Sequence, residues 1–401
     1  MTTVQDTITA DASREGRRQP PFDHRKLDAL LDQHGIDVLL VSSRHNLRYL
    51  LGGYSFFFFE GFEAFGTSRY FPLMVYFRGK PEQTVYVGNA MEAFERDLGK
   101  FWMSSVRTSS WGLRDALEVA ASAIPDAAGQ GLRLGIEPDF LPTSAAALLS
   151  RSLPSTRLVD ASRALELLRA IKTPRELALV QSASNEVVAS ILAVIAAKGA
   201  GSTKREWVDA LAREERARGL RFEYCLIAAG KSFNRSPSDD ILREGDIVSV
   251  DSGGNLDGYI GDLCRMAIVG EPTEEHEDVL AEIDAIQIAA RSAIREGALG
   301  RDIYARAGAL IERSRFRDRI DFVAHGLGSV THETPRLAPS GFPYGPDDAD
   351  LPLQEGMVLS VETAIKHPRL GFVKLEDTIA LTPNGPEAYG DFGRGWNRCL
   401  G

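Results

Sequence analysis

The stretch from 245 to 265, GDIVSVDSGGNLDGYIGDLCR, most constrains what this chain can fold into. Apolar Ile247, Val248 and Val250 lead into Asp251, and Asp262 follows eleven residues later, beyond a Gly-rich turn. Asp257-Gly258 is a turn dipeptide, because glycine tolerates positive φ. Alternation with period two on both sides of a turn predicts a β-hairpin. Its arms lie side by side, so Asp251 and Asp262 can project from one face of a sheet. Two bare carboxylates placed together repel, and one stays protonated unless a cation sits between them. The hairpin therefore asks for further groups that complete a cation site.

Three later stretches carry polar residues in apolar surroundings. FVAHGLGSVTHETP holds His325, His332 and Glu333, GMVLSVET holds Glu362, and GFVKLEDTIAL holds Glu376. A carboxylate at an inward strand position is costly unless paired or bound to metal. Taken singly, each has a plain explanation: a hydrogen-bonded core histidine, a solvent-facing glutamate, a turn aspartate. Taken together, two Asp, one His and two Glu form an oxygen-rich set with one imidazole. Such a set suits Mn, Co, Fe or Zn. Four carboxylates carry enough charge for two divalent ions, which at about 3.5–4 Å apart can share a hydroxide able to attack a carbonyl.

The chain has 401 residues, which predicts two domains of roughly 150–250 residues each. A net charge of −10 argues against nucleic acid or an anionic membrane as the main partner. The three cysteines are odd in number and far apart, so neither a disulfide framework nor a cysteine zinc site is implied. No run of about 20 apolar residues is apparent, so no membrane span is expected. Residues 1–21 are polar, lack an apolar signal segment and end in a proline pair, which predicts a loose arm and a cytoplasmic protein.

Residues 22–172 alternate helical and strand-like stretches and read as an α/β domain. Thr173-Pro174, with Glu176 three residues after Thr173, is a capping box and marks the boundary. Residues 173–401 form the second domain, with two long helices ahead of the returning strands. The fold class is α/β (α+β) in two domains. The run from Tyr54 to Phe62, with Phe58 near its centre, reads either as core or as an aromatic wall over a substrate or partner subunit.

The order Asp, eleven residues to Asp, HGxGxxxHExP, a Glu in GMVLSVE and a Glu in KLED resembles the pita-bread metallopeptidases. That family includes methionine aminopeptidase, aminopeptidase P, prolidase, creatinase, ectoine hydrolase and a dimethylsulfoniopropionate lyase. The motifs cover about 222 to 385, and a creatinase-like N-terminal domain extends the likeness over nearly the whole chain. The resemblance implies a homodimer and two divalent ions held by Asp251, Asp262, His325, Glu362 and Glu376. It implies bridging roles for Asp262 and Glu376. It makes His332 a substrate contact and Glu362 the proton shuttle. The implied reaction is hydrolysis of a peptide or amide C–N bond in a short peptide of the Xaa-Pro type.

Two departures bear on the substrate. The proline-specific members and creatinase place a third histidine where this chain has Asn234, next to Arg235. Aminopeptidase P and prolidase carry Arg where this chain has Lys374, and Lys lacks the bidentate fork. Asn234, Arg235, Lys374, His332, Tyr54 and Phe58 are therefore the expected substrate-contacting set. The alternative is a small nitrogenous or onium metabolite on the same fold. A non-catalytic binding module is disfavoured, because all five ligand positions are present.

Overall fold

The computed structural model describes residues 19–124, 131–337 and 347–399. The chain divides into two compact units, Met1–Leu168 and Arg169–Gly401. The division falls slightly ahead of the capping box, because Arg169 and Lys172 both pair with Glu333 of the second unit. The capping box itself forms, with Thr173 and Glu176 exchanging hydrogen bonds at the start of the helix Pro174–Ala197. Of the expected arm, only residues 19–21 lie within the described residues.

The first unit is built on a six-stranded mixed sheet of β1 Val38–Val41, β2 Leu73–Phe77, β3 Val85–Asn89, β4 Ser105–Ser110, β5 Arg133–Ile136 and β6 Arg157–Asp160. Their order is β4-β3-β2-β1-β5-β6. Central β1 feeds two cores: Leu39 and Val41 pack on one face, Val38 and Leu40 on the other. A strand covered on both faces reads as an unbroken apolar run rather than an alternation. The edge strands β4 and β6 are half-exposed and polar, so their sequences carry no apolar period. The aromatic run is used mostly as core. Phe56, Phe58 and Phe59 are buried, and Phe58 stacks on Phe65 with ring centroids 3.9 Å apart. Tyr54 donates to the buried Glu92 carboxylate at 2.9 Å. Tyr54 and Phe58, expected at the substrate, thus serve the packing of the first unit.

The second unit is a nine-stranded sheet. Its strands are β7 Arg221–Ala229, β8 Ile247–Leu256, β9 Tyr259–Ile268, β10 Ile320–Gly326, β11 Glu333–Arg336, β12 Val358–His367, β13 Gly371–Thr382, β14 Gly385–Tyr389 and β15 Asn397–Arg398. The main order is β11-β10-β12-β13-β9-β8-β7, with β14 on β13 and β15 on β9. The β8–β9 hairpin turns at Asp257 and Gly258, both at positive φ. Helices cover one face. Val187 and Ile191 of Pro174–Ala197 pack with Val248, Val250 and Leu263, while Ile286 of Glu274–Arg291 packs with Val361 and Ile379. Pro174–Ala197 is apolar and long enough to cross a membrane by length and composition, contrary to the expectation from sequence. Val180, Val187, Val188, Ile191 and Ile195 are buried within the unit, so its apolar face is spent on the sheet. The opposite face of the sheet carries the chemistry.

Candidate metal centre

Strand register converges the site. In the hairpin, Asp251 lies opposite Cys264 and Gly253 opposite Asp262. Residues two apart share a face, so both carboxylates point the same way. β13 meets β9 at Glu376 opposite Cys264, which sets Glu376 beside Asp262. Glu362 lies opposite Glu376, and His325 opposite Ser360, two residues from Glu362. Five separate strands thus bring five groups to one spot. Ligand atoms of Asp262, His325 and Glu376 all lie within 4.8 Å of one another. Asp251, Asp262, His325 and Glu376 are all buried.

The hydrogen bonding leaves this set incomplete. His325 Nδ1 lies 3.1 Å from the Gly326 carbonyl, an acceptor that fixes a proton on that nitrogen and turns Nε2 inward. Nε2 is buried with no hydrogen-bond partner among the described residues, 3.5 Å from Glu362 Oε1 and 3.9 Å from Glu376 Oε1. Glu376 Oε1 accepts from Ser360 Oγ at 2.8 Å. Glu376 Oε2 is 2.8 Å from Lys374 Nζ, a contact of charge without hydrogen-bond direction. Buried polar atoms are ordinarily satisfied, so an orphan imidazole nitrogen aimed at carboxylates is the donor set of a divalent cation. The residues therefore fit a metal.

The electrostatics agree. Burial, with Asp251 alongside, pushes Asp262 up to about 7. Burial and the neighbouring Asp262 push Glu376 well above the usual carboxylate range. Burial also opposes the charge on Glu362, but Lys374 and His325 override it and hold that carboxyl well below its ordinary value. Burial pulls Lys374 down, yet Asp251, Glu362 and Glu376 keep its ammonium well above an ordinary lysine. That ammonium stands among three ligand-position carboxylates, 2.6 Å from Asp251 Oδ2, 2.6 Å from Glu362 Oε2 and 2.8 Å from Glu376 Oε2.

A cavity of about 790 Å³ opens over these groups. His332 lines it, its ring stacked on His325 at 3.8 Å between centroids. Burial and His325 depress His332 to about 4. The adjacent Glu333 is tied down by Lys172 Nζ at 2.8 Å and Arg169 Nη2 at 3.2 Å, which anchors the start of β11 beside His332. Of the two residues at the family's third-histidine position, Arg235 lines the cavity and Asn234 does not. Asn234 is exposed and accepts from Ser236 N at 3.0 Å, closing a local turn. Arg235 pairs with Asp251 and lies over the Phe372 ring, 5.0 Å from its centroid.

Tyr224 is a site residue that sequence reasoning missed. Its hydroxyl hydrogen-bonds Asp262, and its pKa is driven up by burial and by the surrounding carboxylates. A register shift between Phe222 and Tyr224 delivers it. Such bulges re-aim side chains beside active sites. The available signal was Gly253: a β-carbon there would lie 2.4 Å from the Tyr224 ring, so the glycine makes the ring's bed.

A family model described as Metallopeptidase family M24 matches residues 176–383, just over half of the chain, and one for the Creatinase/Prolidase N-terminal domain matches 24–171. The chain belongs to metallopeptidase family M24. Among its M24 relatives, an Xaa-Pro dipeptidase of Pyrococcus horikoshii is 24% identical over 373 residues, covering 90% of this chain and 94% of that protein. An Xaa-Pro dipeptidase of Lactobacillus helveticus is 24% identical, covering 87% and 94%. The solved Xaa-Pro dipeptidase from Bacillus anthracis superposes with a TM-score of 0.78 at 21% identity, over 94% of this chain and 98% of that one. An X-Pro aminopeptidase from Thermotoga maritima gives 0.76 at 18%, over 94% and 99%. As an M24 member the chain is a hydrolase dependent on divalent metal.

Proposed function

We propose that this M24 hydrolase cleaves the amide C–N bond of a short, carboxylate-bearing peptide of the Xaa-Pro type. In this reading two divalent ions, Mn, Co, Zn or Fe, would be held by Asp251, Asp262, His325, Glu362 and Glu376. The supporting observation is the buried His325 Nε2, without a hydrogen bond among the described residues and facing Glu362 and Glu376, on the floor of a cavity large enough for a dipeptide. Bound divalent ions supply Lewis acidity, polarising a carbonyl and lowering the pKa of water towards neutrality.

The chain's own residues do the rest. Glu362, kept ionised by Lys374 and His325, accepts the proton of the attacking water and returns it to the leaving nitrogen. His332 is neutral at pH 7 and offers an N–H to the developing oxyanion. Tyr224 donates to Asp262 and steadies that carboxylate. Arg235 supplies a fixed cation for the substrate carboxylate. Apolar Leu226, Phe233, Phe322 and Phe372 line the remaining wall and suit an apolar or imino-acid side chain.

Arg235 also weighs against the onium alternative. Its guanidinium already covers the Phe372 face, so a cationic solute would meet a fixed positive charge instead of an open ring. The test is a dipeptide panel, with free and amidated C-termini, given to Mn²⁺-loaded enzyme alongside small nitrogenous metabolites. Turnover of Xaa-Pro dipeptides that requires the free carboxylate supports the reading. Turnover of metabolites alone overturns it. The proposal extends to a homodimer and a cytoplasmic location, the former checked by mass in solution.

A further inference from the structure

Resting on the same metal-centre reading, we infer that Lys374 is a built-in stand-in for one of the two ions, so that loading the Asp251 side of the centre requires its ammonium to leave. The geometry is that of a cation site with the cation supplied by the chain. Nζ lies 2.6, 2.6 and 2.8 Å from oxygens of Asp251, Glu362 and Glu376, and the side chain is 4% exposed. These oxygens belong to three of the five ligand positions. The remaining two, Asp262 and His325, make with Glu376 a buried cluster whose ligand atoms lie within 4.8 Å of one another.

Charge counting points the same way. Ionised, as metal ligands must be, Asp251, Asp262, Glu362 and Glu376 bring four negative charges, and Lys374 and Arg235 return two. One divalent ion closes that deficit. A second ion, entering with Lys374 in place, would set a double positive charge against an ammonium inside a buried pocket. Like charges at such range oppose binding strongly. Arg235 does not share the role, because it reaches Asp251 from the rim and is 30% exposed. Lysine suits the task where arginine would not: it is a compact point charge on a flexible stem and can withdraw without breaking a bidentate fork.

Isothermal titration with Mn²⁺ on chelator-stripped protein, with bound metal counted by mass spectrometry, tests this. The wild type should bind one ion tightly and a second at least about tenfold more weakly. In Lys374→Met the second ion should tighten by about tenfold or more, while the stripped protein melts at lower temperature because three carboxylates lose their cation. Lys374→Arg keeps the charge but withdraws less readily, so its second ion should bind as weakly as in wild type or more weakly. Anomalous scattering from Mn²⁺-soaked wild-type crystals locates ions and Nζ together, whatever the fate of the variants. A single ion at Asp262, His325 and Glu376 at low Mn²⁺, with Nζ on Asp251, supports the inference. Two ions of equal affinity in wild type, with Nζ undisplaced, or a Lys374→Met second-ion affinity equal to wild type, overturns it. Absence of any bound ion from wild type and both variants removes the metal-centre reading as well, which separates that failure from the failure of Lys374 alone.

Discussion

Glu376 and Asp377 are neighbours in β13, yet the pleat sends them to opposite faces of the sheet, where two buried acid clusters are balanced in opposite ways. On the cavity face, among the described residues, four carboxylates meet one buried lysine and one rim arginine, and His325 Nε2 is left without a hydrogen bond. On the helix face, Asp377 is surrounded by donors. Arg265 Nη1 lies at 3.2 Å, Arg291 Nη1 at 3.6 Å and Gln287 Nε2 at 3.1 Å, and Arg394 pairs with the same carboxylate. The first cluster has more negative charge than the chain neutralises. The second is saturated. Burial alone therefore does not mark a functional acid; an unbalanced set of donors does.

Removing one acid from each cluster should have opposite effects on activity and stability. Asp262→Ala should abolish metal-dependent hydrolysis, yet leave the stripped protein as stable as wild type or more so, since an excess charge has gone. Activity assays and urea unfolding with and without chelator read the two halves. An intact activity would remove Asp262 from the centre. Asp377→Asn should do the reverse. It strips buried Arg265 of its carboxylate partner, and by analogy with broken buried pairs should cost about 3–5 kcal/mol in urea unfolding while the KM of the folded enzyme stays put. A changed KM with unchanged stability would mean that the helix-face cluster is not the structural one.

Arg235→Ala should raise KM for free-carboxylate dipeptides by roughly tenfold and leave amidated ones nearly unchanged. An equal rise for both would reduce Arg235 to a partner of Asp251. Glu215 shows a third way to keep an acid under the sheet. It accepts from Ser252 at 2.7 Å, has no cation partner in the described structure, and burial pushes it up to about 8. Folded Glu215 thus holds a proton that the unfolded chain releases above about 4.3. The unfolded state binds fewer protons between that value and 8, so this group's contribution to stability falls as pH rises through the window. Glu215→Gln should flatten that slope. Unfolding free energies at pH 5, 6.5 and 8 measure it, and an unchanged slope would show that Glu215 is ionised in the folded protein.

Period-two patterning made much of the second unit legible. Asp251, Asp262, Glu362 and Glu376 each stand in a strand-like run, and the same alternation that buries Val250 and Leu263 delivers their polar neighbours to the other face. What the pattern hides is partnership. Lys374 reads in sequence as a substrate-shell donor, because nothing in KLED says that its ammonium reaches three carboxylates contributed by three strands. Tyr224 looks like any strand tyrosine, since a bulge leaves no mark on apolar spacing. The run from Tyr54 to Phe62 is ambiguous for a different reason: phenylalanine suits a core and a ligand wall equally, and here Phe56, Phe58 and Phe59 went to the core. Edge strands β4 and β6 escaped because solvent on one side removes the need for apolar residues.

The bed that Gly253 makes for the Tyr224 ring gives the history of this site a direction. A lineage can shed the aromatic ring first and fill position 253 afterwards. It cannot easily travel the other way, because any side chain at 253 evicts the ring from Asp262 before a replacement donor exists. Descendants that retain the glycine should therefore include some without the tyrosine, whereas descendants with the tyrosine and a bulkier residue at 253 should be scarce.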